Sequence, residues 1–265
     1  MQVGGNGGGG PAAAPILQLK GISKSFGAVE ALRGADFEVY PAEVVALVGD
    51  NGAGKSTLVK TIAGTHQPDD GTISFEGEEV KLHKPSDATR LGVETVYQDL
   101  ALCDNLDVVQ NMFLGRENVT RLLPPLIEPL SELEMEKRAL DVLRSLNVTT
   151  IRSVRIPVAS LSGGQRQSVA ISRAVMWNSK VVILDEPTAA LGVAQTEQVL
   201  ALIKRLREQG LGVVVISHNL HEVFEIADRI IVLRLGRRVA SFRHDETTPE
   251  EVVAAITGAR REKAV

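Results

Sequence analysis

Cysteine, surplus charge and long apolar runs are all scarce in this sequence, and each shortage closes off a class of protein. The one cysteine, Cys103, cannot form an internal disulfide and offers no thiolate metal site, which suits a reducing compartment and a structural role for that residue. The 29 Lys and Arg residues stand against 33 Asp and Glu, a net charge of -4, so the surface as a whole is not built for polyanions and only a local basic patch stays open. Apolar runs such as VVALV, VVIL and LGVVVI are far shorter than the roughly 20 residues that cross a bilayer, which limits any membrane role to a peripheral one. The opening MQVGGNGGGGPAAAP lacks both the basic and the apolar region of a secretion signal. Consecutive glycines lose much entropy on ordering and bury nothing, so residues 1–15 are expected to be a disordered lead. There is no internal repeat.

What is present is room and a balanced composition. With 265 residues, 44% apolar and 23% charged, the chain can bury the core of an enzyme, as one large domain or as a core with a smaller lobe.

Hydrophobic patterning predicts an α/β protein. Ile16–Ser25 and Leu32–Val39 alternate as two edge-type strands. EVVALVG, Glu43–Gly49, is a continuous apolar strand ending in glycine, and the residues from Lys55 to about Ala63 suit a helix. GTISFEG (Gly71–Gly77) and LGVETVYQ (Leu91–Gln98) return to strand. From Asp104 to Val148 the pattern is helical, interrupted by the prolines of LLPPLIEPLS. Within it Ser131 followed by Glu134 is a capping-box pattern. This interval is expected to be part of a helical lobe, about residues 99–176, set into the α/β core. Helices over 162–176, 194–208 and 219–226 then alternate with the strands KVVILDE and LGVVVISH, and buried strands separated by helices imply a parallel sheet. RIIVLRL and RVASF are the last strands, followed by a short helix in TPEEVVAAITG and a solvated tail, ARREKAV.

Four strand ends carry polar chemistry. GDNGAGKST, Gly49–Thr57, has the phosphate-loop spacing G-x-x-x-x-G-K-[ST] between a strand and a helix. Amides around Gly52 and Gly54 can turn inward onto phosphate oxygens, Lys55 can reach the β- and γ-phosphates, and Ser56 can offer its hydroxyl to Mg²⁺. A ligand-free glycine turn is the plain alternative, and the strand-loop-helix setting weighs against it. VVILDE ends in Asp185, suited to hold Mg²⁺ directly or through water, and Glu186, suited to orient or deprotonate an attacking water. Taken alone, such a pair reads equally well as a solvated strand end. Gln98 ends another apolar strand, where its amide can meet the metal's surroundings and water. His218 ends VVISH, where it can donate to a γ-phosphate. Each of these two also reads singly as an ordinary polar strand end or helix cap, and His66, His83, His221 and His244 have no comparable setting. Strand ends converging at one edge of a parallel sheet form the place where such folds bind ligands.

A further stretch, LSGGQRQ, puts Ser162, Gly163 and Gly164 at the start of a helix, where uncommitted amides and a positive helix end make a second phosphate nest. A chain with one complete phosphate loop has no evident use for a second nest, whereas two copies packed head to tail in a closed pair can complete each other's sites. A serine-capped helix with flexible glycines is the structural alternative.

In their order along the chain, GDNGAGKST, Gln98, LSGGQRQ, VVILDEPT and His218 resemble the ATP-binding cassette (ABC) ATPases, from about Ile16 to Gly258. The resemblance implies a P-loop NTPase core with a mostly parallel sheet, an N-terminal antiparallel β subdomain and an inserted α-helical subdomain, all in one cassette over residues 16–258 with a tail over 259–265. It implies ATP and Mg²⁺. Gly49, Asp50, Asn51, Gly52, Ala53, Gly54, Lys55, Ser56 and Thr57 would surround the phosphates, Ser56, Gln98 and Asp185 the metal, and Glu186, His218, Gln98 and Lys55 would act in hydrolysis. Phe26, which by itself reads as ordinary packing, matches the aromatic that stacks on adenine. Ser162, Gly163 and Gly164 would face the γ-phosphate held by a second copy.

ISKSFGAVEALRGADFEV, GVETVYQDLALCDNLDVVQNMFLGRE and TPEEVVAAITG are further similar to the ribose, xylose and fructose branch of bacterial carbohydrate importers, in which many members fuse two cassettes. That likeness implies a self-pairing subunit at the cytoplasmic face of a bacterial membrane. It would drive permease subunits through Asp99–Phe113 and the helical lobe, serve a solute-binding protein indirectly, and power monosaccharide import. Amino-acid or lipid importers are the nearer alternative. A soluble ABC protein acting on nucleic acid is the farther one, disfavoured because no long charged heptad insertion separates the phosphate loop from LSGGQ, so no nucleic-acid partner is expected. Two positions depart from the family pattern. Gly192 stands where an aspartate usually helps couple the two sites, and Ala42 replaces a common glycine, implying a small change in turn geometry.

Overall fold

The structure, a computed structural model, describes residues 14–119 and 130–259. The prolines of LLPPLIEPLS, nearly all of the glycine-rich lead and all of the tail beyond residue 259 lie outside the described residues.

The described elements run β1 (Leu17–Phe26), β2 (Val29–Val39), β3 (Val44–Val48), α1 (Lys55–Ile62), β4 (Asp70–Phe75), β5 (Glu78–Val80), α2 (Pro85–Leu91), β6 (Val93–Val96), α3 (Val108–Phe113) and α4 (Glu132–Ser145). They continue as α5 (Gly163–Val175), β7 (Val181–Asp185), α6 (Val193–Glu208), β8 (Gly212–Ile216), α7 (Leu220–Ile226), β9 (Arg229–Arg234), β10 (Arg237–Arg243) and α8 (Pro249–Thr257). One sheet is antiparallel, in the order β2-β1-β4-β5. The other has the order β10-β9-β3-β8-β7-β6, parallel from β9 to β6, with β10 antiparallel at the edge. This is the α/β arrangement the sequence implied.

Burial explains the layering. Every residue of β3 and β8 is buried, so the parallel sheet needs cover on both faces. On one face α1 contributes Leu58, Val59 and Ile62 to a core shared with Leu17, Leu19, Ile22 and Phe37 of the antiparallel sheet. On the other, Ala170, Ile171 and Ala174 of α5 pack with Val199, Ile203 and Leu206 of α6. A third core joins α3, α4 and α5 through Phe113, Ala139, Leu143 and Val169. Each fully buried Leu, Ile or Phe among these adds about 1.5–3 kcal/mol. Because α5 belongs to two cores, it ties the helical interval rigidly to the sheet.

Several expectations need correction. β1 is an interior strand, since β4 pairs along its second edge. Leu91 closes a helix instead of opening a strand: Pro85 sits in the first turn of α2, Asp87 accepts from the amides of His83 and Lys84, and Gly92 (φ 86) ends the helix in the left-handed conformation. The interval 104–148 holds two separate helices, α3 and α4, with non-helical backbone between them among the described residues. Ser131 does not cap the backbone of α4. Its ψ of 66 is far from the extended value of a cap, and its hydroxyl bonds the Glu134 side chain at 3.2 Å.

Candidate active site

The ends of β3, β8, β7 and β6 lie side by side in the parallel sheet, which places the four polar segments along one edge. After β3 the loop Gly49–Gly54 turns into α1. A Cβ on Gly54 (φ 104) would lie 2.7 Å from the Ala31 carbonyl oxygen, and one on Gly49 would lie 2.3 Å from that of Leu233. Only glycine fits at either position. Gly54 caps α1 without a side-chain bond, and the first turn of α1 holds no acidic residue, so the positive helix end is left for an anion. Lys55 Nζ folds over this loop onto the carbonyls of Gly49 (2.7 Å) and Asp50 (3.1 Å). Burial lowers its pKa, against the raising pull of Glu186, Asp50 and Asp185. Asp50, Asn51, Gly52 and Ser56 are exposed, Thr57 is half-buried and Ala53 is buried.

Asp185 is the last residue of β7. Burial raises its carboxyl pKa, and the neighbouring Glu186 raises it further against the pull of Lys55 and Lys60. Glu186 follows in a left-handed conformation (φ 49) that a side-chain-bearing residue adopts at a cost of about 1–2 kcal/mol. Its amide donates to the Ile216 carbonyl at 2.9 Å, which holds the turn. Glu186 Oε2 lies 2.9 Å from His218 Nδ1, with the carboxylate largely buried and the imidazole exposed. The His218 segment is pinned in turn. The Asn219 amide donates to the buried Ser217 hydroxyl at 3.0 Å, and Glu222 accepts from both Asn219 and Thr188. Gln98 is exposed, two residues past β6 in a turn, with no hydrogen bond from its side chain among the described residues.

Phe26 stands half-exposed at the end of β1, edge-on to His66 with ring centroids 5.1 Å apart. Asp69 fixes this corner, accepting from Lys24 Nζ at 2.6 Å and from the Ser25 amide at 2.7 Å. The Lys24 hydrogen bond is the main cause of the lowered Asp69 pKa. His66 was passed over in the sequence because it sits outside any strand end. Its only signal is its place just beyond the phosphate-loop helix.

Ser162 caps α5 in a reciprocal box with Gln165, whose Oε1 accepts from the Ser162 amide at 2.9 Å. That amide is therefore committed, contrary to expectation, while those of Gly163 and Gly164 have no hydrogen bond among the described residues. The two glycines are not spacers: a Cβ on either would lie 2.9 Å from Leu191 Cδ2 or Gln195 Cβ. No hydrogen bond or ion pair among the described residues joins this segment to the chain's own phosphate loop. Gly192 caps α6 without a side-chain bond, and Ala42 is left-handed (φ 55), which accounts for the glycine common in the family.

Among the described residues no cluster of three or more His, Cys, Asp or Glu side chains forms a metal cage. A hydroxyl, one half-buried carboxylate and an amide beside a phosphate cradle suit a hard cation that shares its coordination sphere with phosphate oxygens, as Mg²⁺ does. The residues thus fit ATP with Mg²⁺.

Comparison with known proteins agrees on ATP. Residues 32–189 match the family described as ABC transporter. The fructose import ATP-binding protein FrcA of Rhizobium meliloti is 47% identical over 93% of this chain and 95% of its own length. The xylose/arabinose import ATP-binding protein XylG of Sulfolobus acidocaldarius is 45% identical over 91% of this chain and 94% of its own. A ribose import ATP-binding protein of Rubrobacter xylanophilus is 41% identical, and the chain spans 47% of its length. Among solved structures, an ATP-binding cassette of an ABC transporter in its ADP conformation superposes with a TM-score of 0.77 at 26% identity, covering 93% of this chain and 96% of that one. A dimeric bacterial ABC transporter cassette gives 0.71 at 27%, covering 86% and 98%. A phosphate loop, a carboxylate pair and a histidine on adjoining strand ends, in a chain matched along nearly all its length by these relatives, identify it as a member of the ABC transporter family, an ATP-binding ATPase subunit.

Proposed function

We propose that two copies of this chain hydrolyse ATP at shared sites and so power import of a monosaccharide through a membrane permease. The observation that carries the catalytic half is the Glu186–His218 contact at the strand end beside the half-buried Asp185. For the cargo, the support is the likeness to fructose and xylose/arabinose import subunits along nearly their whole length.

In this reading the loop amides of Gly49–Thr57 and Lys55 hold the phosphates. Lys55 exchanges two loop carbonyls for anionic oxygens, which reward a half-buried ammonium more strongly. Mg²⁺ held by Ser56, Asp185 and Gln98 would neutralise charge on the transferring phosphate oxygens. Glu186 accepts the proton of the attacking water, and its near-buried carboxylate is aimed by His218. With Nδ1 donating to Glu186, the His218 ring has a second proton for a γ-phosphate oxygen only as imidazolium. Phe26 stacks on adenine, with His66 at its edge. The free amides of Gly163 and Gly164 face the nucleotide of the second copy, and closure excludes bulk water.

The permease would meet residues 99–113 and the helical interval. A cavity of about 220 Å³ lies beside that segment, lined by Glu94, Met112, Leu114, Arg116, Arg173 and Trp177 among others. No helix among the described residues is long and apolar enough to cross a membrane, and in this reading the permease holds the subunit at the cytoplasmic face, with the solute-binding protein reached indirectly. The two-copy site is tested by light scattering on the Glu186→Gln variant. ATP with Mg²⁺ should produce a dimer that ADP does not, and a monomer under ATP at saturating occupancy would remove the shared site.

A further inference from the structure

The turn after Gln98 is held by side chains that no step above uses. Leu100 (φ 58) and Ala101 (φ 45) are consecutive left-handed residues carrying side chains, a conformation that persists only where the surroundings enforce it. Their amides close short turns onto the carbonyls of Tyr97 (2.9 Å) and Asp99 (2.7 Å). Both of their carbonyls accept from one guanidinium: Arg173 Nη2 donates to Leu100 O at 2.9 Å and Nη1 to Ala101 O at 2.8 Å. Just downstream the fully buried Asn111 takes the Cys103 amide (2.7 Å) and the carbonyls of Cys103, Leu106 and Asp107 (3.0, 3.2 and 3.0 Å).

Arg173 has no ion-pair partner among the described residues. Glu94, whose charge acts on it, is bonded to Arg116 at 2.9 Å. A half-buried cation is costly without hydrogen-bonding partners, so the two carbonyls account for its position. The Arg173 backbone also stands three turns along α5 from Ser162, about 16 Å at 1.5 Å per residue. From Val169 to Ala174 α5 is packed into two cores, and Gly164, Gln167 and Ser168 are buried before them, so the helix is stiff. Leu100 and Leu102 pack against the core that holds Ala170, Ile171 and Ala174 of α5, and Arg173 adds the polar tie from the turn that carries Gln98 to the helix that begins at LSGGQ.

We propose that Arg173 is a positioning residue that makes the Gln98 turn and α5 move as one body. A chain's contact with its own nucleotide through Gln98 and its contact with the second copy's nucleotide through Gly163 and Gly164 then reach the same surface, residues 99–107. A planar fork gives each of two successive carbonyls its own N–H from a rigid frame, whereas the ammonium of a lysine is a shorter, freely rotating point donor that does not fix their relative orientation. The inference rests on the nucleotide assignments made above and on nothing about cargo.

Amide hydrogen exchange on the full chain tests it, in the Glu186→Gln background with and without ATP and Mg²⁺. With Arg173 present, ATP should alter exchange over residues 99–107 and at the start of α5 together. Adding Arg173→Gln should speed exchange over 99–107 at least 10-fold and erase its ATP response, while ATP affinity and the α5 response persist. Arg173→Lys, which keeps the charge and the aliphatic stem, should lose the same response and serves if the glutamine variant does not fold. An ATP-binding Arg173→Gln or Arg173→Lys chain whose 99–107 response is unchanged overturns the proposal, as does an ATP-binding parent with no response there. A parent that binds no ATP overturns the nucleotide assignment itself, and this inference with it.

Discussion

His218 Nδ1 and Glu186 Oε2 lie 2.9 Å apart, joining the ends of two adjacent parallel strands, β8 and β7. In the proposed reading Glu186 is the general base, which needs a fixed aim as much as a suitable basicity, and this contact would supply the aim. Glu186→Gln should bind ATP within about 3-fold of the parent and lose at least about 10²-fold in turnover, read by equilibrium nucleotide binding and by phosphate release. His218→Ala should lose turnover on a similar scale. The double variant should be little worse than either single one, because groups acting as a unit are not additive. Strictly multiplicative losses would show that the two act independently.

The half-buried carboxylate of Asp185 sets a pH dependence of stability. Its folded pKa is raised, first by burial and then by Glu186. The folded state therefore binds that proton more tightly than the unfolded state, and stability falls as pH rises above the ordinary value of 3.8 toward the folded one. Asp185→Asn removes the charge. Without nucleotide it should melt higher than the parent at pH 7, with the difference shrinking as pH falls through the raised folded pKa toward 3.8 and gone below it, while phosphate release is lost. Thermal melts across pH check this, and a lower Tm at pH 7 would contradict it.

Ala42 occupies a left-handed conformation (φ 55) at an exposed turn. Glycine relieves about 1–2 kcal/mol of strain there and returns part of it through a more flexible unfolded chain. Ala42→Gly should gain about 0.5–1 kcal/mol, or about 1–3 °C in Tm, with turnover unchanged. An unchanged or lower Tm would mean the turn is not strained.

At Gly192 the backbone is extended (φ -75, ψ 163), and an added Cβ would meet nothing within 4 Å. An aspartate is accommodated there and can cap α6, worth a few tenths of a kcal/mol over glycine. Gly192→Asp should therefore fold normally. If the family's aspartate couples the two sites, it should also steepen turnover against ATP concentration. A chain that folds with an unchanged curve would show that the coupling runs through other residues.

The phosphate loop, the Asp185–Glu186 pair and His218 were legible because each is a short motif tied to a buried apolar strand, and strand order then sets them side by side. The α2 helix was not, since Pro85 and Gly92, which begin and end it, enclose only two turns of weak periodicity. The helical interval was overextended because apolar spacing alone does not mark where α3 stops or how Ser131 turns its hydroxyl onto Glu134. Left-handed Glu186, Leu100 and Ala101 carry no mark in residue identity, as none is glycine. Arg173 reads as one more charge on a helix until the fold brings the Leu100 and Ala101 carbonyls to it, and His66 reads as a loop histidine until Phe26 is beside it.

The most direct measurement is ATP hydrolysis by this subunit assembled with its permease and a solute-binding protein, across a panel of monosaccharides, amino acids and lipids, with Glu186→Gln as control. The account predicts hydrolysis stimulated by one or a few monosaccharides and abolished in the control. Stimulation by an amino acid or lipid alone, or Glu186-dependent hydrolysis indifferent to every solute, would contradict the sugar-import assignment.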